Sequence, residues 1–252
     1  MDEKIHLSVI VPAYNEEKRI PITLLEVDKY LSAQKYTYEI IVVNDGSKDN
    51  TVKVVENLKK LIKNLKIIDN QENHGKGYVV KQGMLAARGL YRLFMDADNS
   101  TSIEHIDKFW PYFKEGYSVV IGSIEVEGAK IEEGAAWYRR FLGKLSKYLI
   151  RIIAGIWEIR DSQRGFKCFL DRAAEAVFSK QTVMRFGFDI EVLCLAKKMG
   201  FKIKEVAVDW HNPGESKVGL GAYFKTLFEL IKIKYNLVTD KYGFKQTAFI
   251  KK

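Results

Sequence analysis

The most constraining feature of this chain is an alternation in its first half. Short strand-like runs, mostly apolar and followed by a polar cluster, alternate with stretches of helical periodicity. Leu7 to Val11 ends at Pro12, Tyr38 to Val43 ends at Asn44-Asp45-Gly46-Ser47, Leu65 to Ile68 precedes Asn73-His74-Gly75-Lys76-Gly77, and Tyr91 to Met95 ends at Asp96-Ala97-Asp98. A fifth run covers Ser118 to Ile121. Between them, helices are predicted from Pro21 to about Ser32, from Thr51 to Leu61 with Asp49 or Asn50 as cap, and from the Gly75 loop to about Arg88. Such alternation specifies an α/β fold, a mostly parallel sheet with helices on both faces. Ligands of these sheets bind beyond the carboxyl ends of the strands. The polar clusters with Glu16, Asp45 and Asp96/Asp98 fall at those ends, so loops from separate strands converge on one crevice.

The second half is less regular. Helices are expected over Trp137–Trp157, Asp189–Met199 and Ala222 to about Leu237, and strands over Asp161–Leu170 and Lys202–Trp210. With 4 prolines and no repeated or Gly/Ser-rich stretch, the chain reads as a continuous domain over 1–215 followed by a C-terminal helical extension over 216–252.

Asp96-Ala97-Asp98 carries the chemistry. In extended chain, residues two apart share a face, so a strand end projects both carboxylates toward one point. Hard oxygen ligands suit Mg²⁺ or Mn²⁺, and such a cation can hold the charge that grows on a departing diphosphate. The place after the first strand holds Pro12-Ala13-Tyr14-Asn15-Glu16, not Gly-x-Gly-x-x-Gly, and no Walker A sequence is present, which disfavours dinucleotide oxidoreductases and P-loop NTPases. Cys168 and Cys194 offer neither a disulfide framework nor metal-ligand spacing.

The segments Val9–Glu16, Val43–Ser47, Asn73–Gly77 and Asp96–Asp98, in this order and spacing, resemble glycosyltransferase family 2 with its GT-A fold. Arg160–Lys167, Arg185–Glu191, Val206–Trp210 and Gly214–Lys217 resemble the dolichyl-phosphate glucosyltransferases within it, with dolichyl-phosphate mannose synthases more distant. The resemblance implies that Pro12, Ala13, Tyr14 and Glu16 line a nucleoside pocket, that Asp45 contacts the base, and that Lys76 approaches the nucleotide. Asp96 and Asp98, with Ala97 between them, bind the metal and the diphosphate, and Gln163 lies near the donor sugar or the acceptor phosphate. It further implies a nucleotide sugar as donor, UDP-glucose ahead of GDP-mannose, and a polyprenyl or dolichyl phosphate as acceptor. Family members often carry Gly-Ser-Arg where this chain has Gly122-Ser123-Ile124, a serine at the place of Gly143, and a small residue or cysteine at the place of Arg164. Acceptor-phosphate binding is then redistributed, with Arg139, Arg140, Arg164, Ser216 and Lys217 as candidates.

The net charge of +9 calls for an anionic partner or serves solubility. Over 137–157 an apolar stripe through Trp137, Phe141, Leu145, Tyr148, Ile152 and Ile156 opposes Arg140, Lys144, Lys147 and Arg151, with no acidic residue until Glu158. The C-terminal helix repeats the idea with Tyr223, Phe224, Leu227, Phe228 and Ile231 beside Lys225, Lys232 and Lys234. Basic amphipathic helices of this kind suit an anionic membrane surface, each basic residue adding about 1 kcal/mol. No apolar run reaches the roughly 20 residues of a membrane span, and the amino terminus shows no signal-like segment. The expectation is a protein peripheral on the cytoplasmic face of a membrane. No nucleic-acid motif is apparent.

The chemistry expected is inverting transfer to a lipid phosphate. Asp98, Gln163 and Asp189 are the candidate catalytic residues, Asp189 or Glu191 serving as base if the acceptor is a hydroxyl. The alternatives are transfer to a saccharide hydroxyl and a nucleotide-sugar-binding module without turnover.

Overall fold

The computed structural model describes residues 4–129, 148, 150–211 and 220–244, with backbone alone for 220–224. Strands β1 (Leu7–Ala13), β2 (Tyr38–Asp45), β3 (Leu65–Asn70), β4 (Tyr91–Met95), β5 (Val119–Ser123), β6 (Phe166–Leu170) and β7 (Ile203–Ala207) form one sheet in the order β3-β2-β1-β4-β6-β5-β7. β1 is buried throughout, as an apolar run covered on both faces requires. The helices are α1 (Ile20–Ser32), α2 (Thr51–Leu58), α3 (Lys76–Ala86), α4 (Trp110–Lys114), α5 (Asp171–Lys180), α6 (Phe188–Lys198) and α7 (Leu220–Val238), with a 3-10 turn at Ile103–Lys108. Two apolar layers sandwich the sheet. One centres on Ile10, Phe94, Phe169 and Phe188, the other on Val9, Val42, Leu93 and Phe166. Cys168 and Cys194 are buried free thiols.

The sheet is mostly parallel, as expected; β6 runs antiparallel between β4 and β5, pairing Met95 with Phe166 and Ile121 with Lys167. Several boundaries differ from the sequence expectation. The expected strand from Asp161 starts only at Phe166, since the Asp161 amide donates to Glu205 Oε1 (2.6 Å) and the chain turns before joining the ladder. The helix expected to reach Trp157 stops at 154. Gly155 takes φ 69°, a left-handed helix end, and the Gly155 and Ile156 amides both donate to the Arg151 carbonyl. Residues 130–147, which hold most of that expected basic helix, lie outside the described residues. α4 and α5 were not foreseen.

α7 packs Leu230 and Ile233 into the core and leaves Leu227, Phe228, Ile231, Tyr235 and Val238 exposed. Among the described residues no helix is long and apolar enough to cross a membrane.

Candidate active site

The carboxyl ends of β2, β1 and β4 lie side by side, with Ala13 opposite Asn44 and Ile10 opposite Phe94 in parallel register. Pro12 and Ala13 are buried at the end of β1, whereas Tyr14 is exposed and Asn15 turns the chain at φ 54°. The Asn15 amide donates to Ser47 Oγ (2.9 Å) and Asn15 Oδ1 accepts from the Lys48 amide (2.7 Å), so the loops after β1 and β2 are stitched together.

Asp45 ends β2 and holds the next loop. Its carboxylate accepts from the His74 amide (2.7 Å), the Gly75 amide (3.0 Å) and Asn73 Nδ2 (2.9 Å). Burial raises its pKa against those donors. Asp45, expected at the nucleotide base, has a carboxylate that braces the loop carrying Lys76. Gly75 (φ 102°) and Gly77 let that loop press on the chain at 183–185, where a β-carbon on Gly75 would stand 2.5 Å from the Met184 carbonyl.

Lys76, first residue of α3, reaches Asp96: Nζ lies 2.6 Å from Oδ1. Burial works against the Lys76 charge, but Asp96 and Asp189 outweigh it and its pKa rises. Asp98 accepts from the Ser100 amide (3.0 Å) and has Arg19 Nη1 at 3.8 Å. Arg19 escaped the sequence reading. Its guanidinium forks onto both oxygens of Glu16 at 2.6 Å each, which holds it beside Asp98 and raises its pKa, the Glu16 hydrogen bond being the largest cause. The one available signal was the i, i+3 spacing of Glu16 and Arg19. Ala97 is buried and its carbonyl accepts from Thr23 Oγ1 (2.7 Å), which fixes the turn between the two carboxylates.

A second half of the crevice comes from the segment before β6. The Asp96 amide donates to the Gly165 carbonyl (3.1 Å). Gln163 is exposed beside it. Arg164 stands 5.6 Å from the Trp210 ring centroid and 3.4 Å from Asp161 Oδ2, the oxygen that also accepts from the Ile124 amide (3.2 Å). Arg139, Arg140, Gly143, Ser216 and Lys217 lie outside the described residues.

Asp189 is buried with Lys167 Nζ at 2.5 Å; burial pushes its carboxyl pKa upward against the pull of Lys167 and Lys76. Glu191, the other base candidate for a hydroxyl acceptor, lies deeper. Fully buried, it accepts from the Thr182 amide and hydroxyl, the Val183 amide and the Tyr242 hydroxyl, which ties down the chain before α6 and leaves no free oxygen for chemistry.

Asp96 and Asp98 retain partial exposure, 30% and 21% of their side chains. Among the described residues no three His, Cys, Asp or Glu side chains are placed to hold a metal ion by themselves. Two carboxylates fit a divalent cation that takes its remaining oxygens from a diphosphate and water, the usual Mg²⁺ arrangement.

A sheet of this order with an acidic pair at the end of β4 is the GT-A glycosyltransferase fold. The chain belongs to glycosyl transferase family 2, whose profile matches residues 8–178, and is an enzyme of that family. It is 36% identical over 242 residues to a dolichyl-phosphate beta-glucosyltransferase of Trichomonas vaginalis, covering 91% of this chain and 73% of that one. It is 32% identical over 263 residues to the dolichyl-phosphate beta-glucosyltransferase of Homo sapiens, covering 96% and 78%. Among solved structures, glucosyl-3-phosphoglycerate synthase from Mycobacterium tuberculosis, in complex with Mn²⁺, UDP and glucosyl-3-phosphoglycerate, superposes with a TM-score of 0.70 at 16% identity, over 91% of this chain and 80% of that one. S. aureus TarS in complex with UDP-GlcNAc gives a TM-score of 0.57 at 19% identity, over 92% and 67%. These two speak to the fold.

Proposed function

We propose that the protein transfers glucose, with inversion, from UDP-glucose to a dolichyl or related polyprenyl phosphate at a membrane surface, using Mg²⁺ or Mn²⁺. The observation that carries the reading is the pairing of Asp96 and Asp98 with Lys76 and Arg19 at the end of β4, in a chain whose relatives are named for dolichyl-phosphate glucosylation.

Asp96 and Asp98 would hold the cation, which supplies charge neutralisation to the leaving diphosphate. Lys76 and Arg19 supply further positive charge at the same end of the crevice. An acceptor phosphate oxygen forms a bond to the anomeric carbon as the bond to the diphosphate breaks, and the electron pair leaves with UDP. A phosphate monoester, with its second pKa about 6, arrives ionised near neutral pH and needs no protein base. That suits a site where Asp189 is held by Lys167 and Glu191 is fully hydrogen-bonded. Transfer to a saccharide hydroxyl would want a free carboxylate there. Arg164 is the described candidate for the acceptor phosphate, because Asp161 holds it at the mouth of the segment before β6 while also accepting from the Ile124 amide.

Membrane placement is supported by α7, where Leu227, Phe228, Ile231, Tyr235 and Val238 are exposed among Lys225, Lys232 and Lys234. The face engaged would be the cytoplasmic one.

Incubation with labelled UDP-glucose, Mg²⁺ or Mn²⁺ and dolichyl phosphate, followed by lipid extraction, tests the reading. Label in the lipid fraction, lost on chelation and in Asp98→Ala, is expected. Label absent from lipid but present in an added saccharide would overturn it.

A further inference from the structure

The acidic pair already has cations of its own. Lys76 Nζ sits 2.6 Å from Asp96 Oδ1, in the place where a divalent cation bound to that oxygen would need positive charge removed. The two partners are not equally held. Asp96 is pinned by its amide bond to the Gly165 carbonyl, and its carboxylate lies against Gly165 so closely that a β-carbon there would meet Oδ2 at 2.2 Å. Arg19, the cation near Asp98, is forked onto Glu16 and cannot leave without abandoning both bonds. Lys76 hangs on a flexible four-carbon stem, and Asp96 is the one hydrogen-bond acceptor of its ammonium among the described residues. Its backbone is fixed by the Asp45-braced loop and by the Tyr78 amide, which donates to the Met184 carbonyl (3.1 Å). That places the stem at the start of an 11-residue helix, an end that favours phosphate.

We propose that Lys76 is the stand-in cation of the donor site: it neutralises Asp96 while the site is empty and passes to the donor diphosphate when nucleotide and metal arrive, so that the two bind interdependently. This rests on the metal-and-diphosphate reading above. Lys76 is thereby a partner-exchanging residue: metal alone must displace it without offering it a new anion, whereas metal with a nucleoside diphosphate offers one. Linkage makes the effect reciprocal, so Mn²⁺ tightens UDP by the same factor as UDP tightens Mn²⁺.

Mn²⁺ binding to the full chain, followed by the spin-resonance signal of free Mn²⁺ and by calorimetry with and without UDP, tests this directly. In the wild type, UDP is expected to tighten Mn²⁺ by about tenfold or more, within the range usual for coupled sites. Lys76→Met and Lys76→Gln, checked for native circular dichroism, are expected to bind Mn²⁺ without UDP about tenfold tighter than wild type and to lose most of the UDP-dependent gain. Lys76→Arg, which keeps a cation, should behave as wild type toward Mn²⁺ alone. If the uncharged variants bind Mn²⁺ alone no tighter than wild type while all still bind it with UDP, the stand-in role is wrong and the metal reading stands. If no form binds Mn²⁺ even with UDP, the metal reading itself fails and this inference with it.

Discussion

Gly165 and Asp96 touch: a β-carbon on Gly165 would stand 2.2 Å from Asp96 Oδ2 and 2.4 Å from Oδ1, and the Gly165 carbonyl accepts from the Asp96 amide. Gly165→Ala must therefore push the carboxylate aside. Displacement of a reacting group by about 1 Å can cost about a hundredfold in rate. A loss of that order in kcat/KM, with a melting curve close to wild type and weakened Mn²⁺ binding in the presence of UDP, is the expected result.

The proposed function puts Arg164, held by Asp161, on the acceptor side of the crevice. Arg164→Ala should raise KM for the lipid phosphate by about tenfold or more, a charge-assisted hydrogen bond being worth about 1.5–3 kcal/mol. KM for UDP-glucose should stay near wild type. Equal effects on both substrates would remove Arg164 from the acceptor side.

Lys167 and Asp189 form a buried ion pair, with side chains 0% and 5% exposed. Removing one partner leaves an uncompensated charge in the core and should cost about 3–5 kcal/mol. Asp189→Ala is expected to lose that much in denaturant unfolding, and Lys167→Met with Asp189→Leu to regain most of it.

Glu39 governs part of the acid limb of stability. Burial raises its pKa, but Lys66 (2.6 Å), the Ser8 hydroxyl (2.7 Å) and the Arg88 amide (2.8 Å) outweigh it, and the net value falls below the ordinary one. A carboxyl with a depressed folded pKa contributes stability that is full above its unfolded pKa, about 4.3, and lost as pH falls through the folded value. Glu39→Gln should flatten the stability profile in that acid window and leave a smaller, pH-independent deficit above it. Urea midpoints across pH 3 to 7 measure both.

Membrane contact through α7, as proposed, is separable from catalysis. Phe228 is 72% and Ile231 54% exposed, so Phe228→Ser with Ile231→Ser should alter folding stability by about 0.5 kcal/mol or less per site. Flotation with vesicles rich in anionic lipid should fall markedly, and transfer to a water-soluble short-chain polyprenyl phosphate should persist. Undiminished flotation would take α7 out of membrane contact.

What the sequence made legible follows from local rules. β4 was readable because Leu93-Phe94-Met95 stops at the acidic pair, and the crevice followed from the positions of the other strand ends. β6 was harder, since a short buried run carries no sign of its direction, and the turn over 161–165 depends on Glu205, far along the chain. Arg19 gains its place only through Glu16, and the hydrogen bonds that tie Asp45 to a loop some thirty residues on leave no mark in the local sequence. Asp189 and Glu191 looked alike in sequence, yet two residues on a helix diverge by roughly 200°, so one faces Lys167 and the other Tyr242.

The reversed strand β6 brings its first residues to the last residues of β4, Phe166 opposite Met95. The proposed donor site and the proposed acceptor segment, encoded some seventy positions apart, are thereby neighbours on one ladder. Wiring of this kind is not modular: a graft that reshapes the loop through 161–165 will be felt at Asp96, and on the proposed function a change of lipid preference should surface first as a change in metal use.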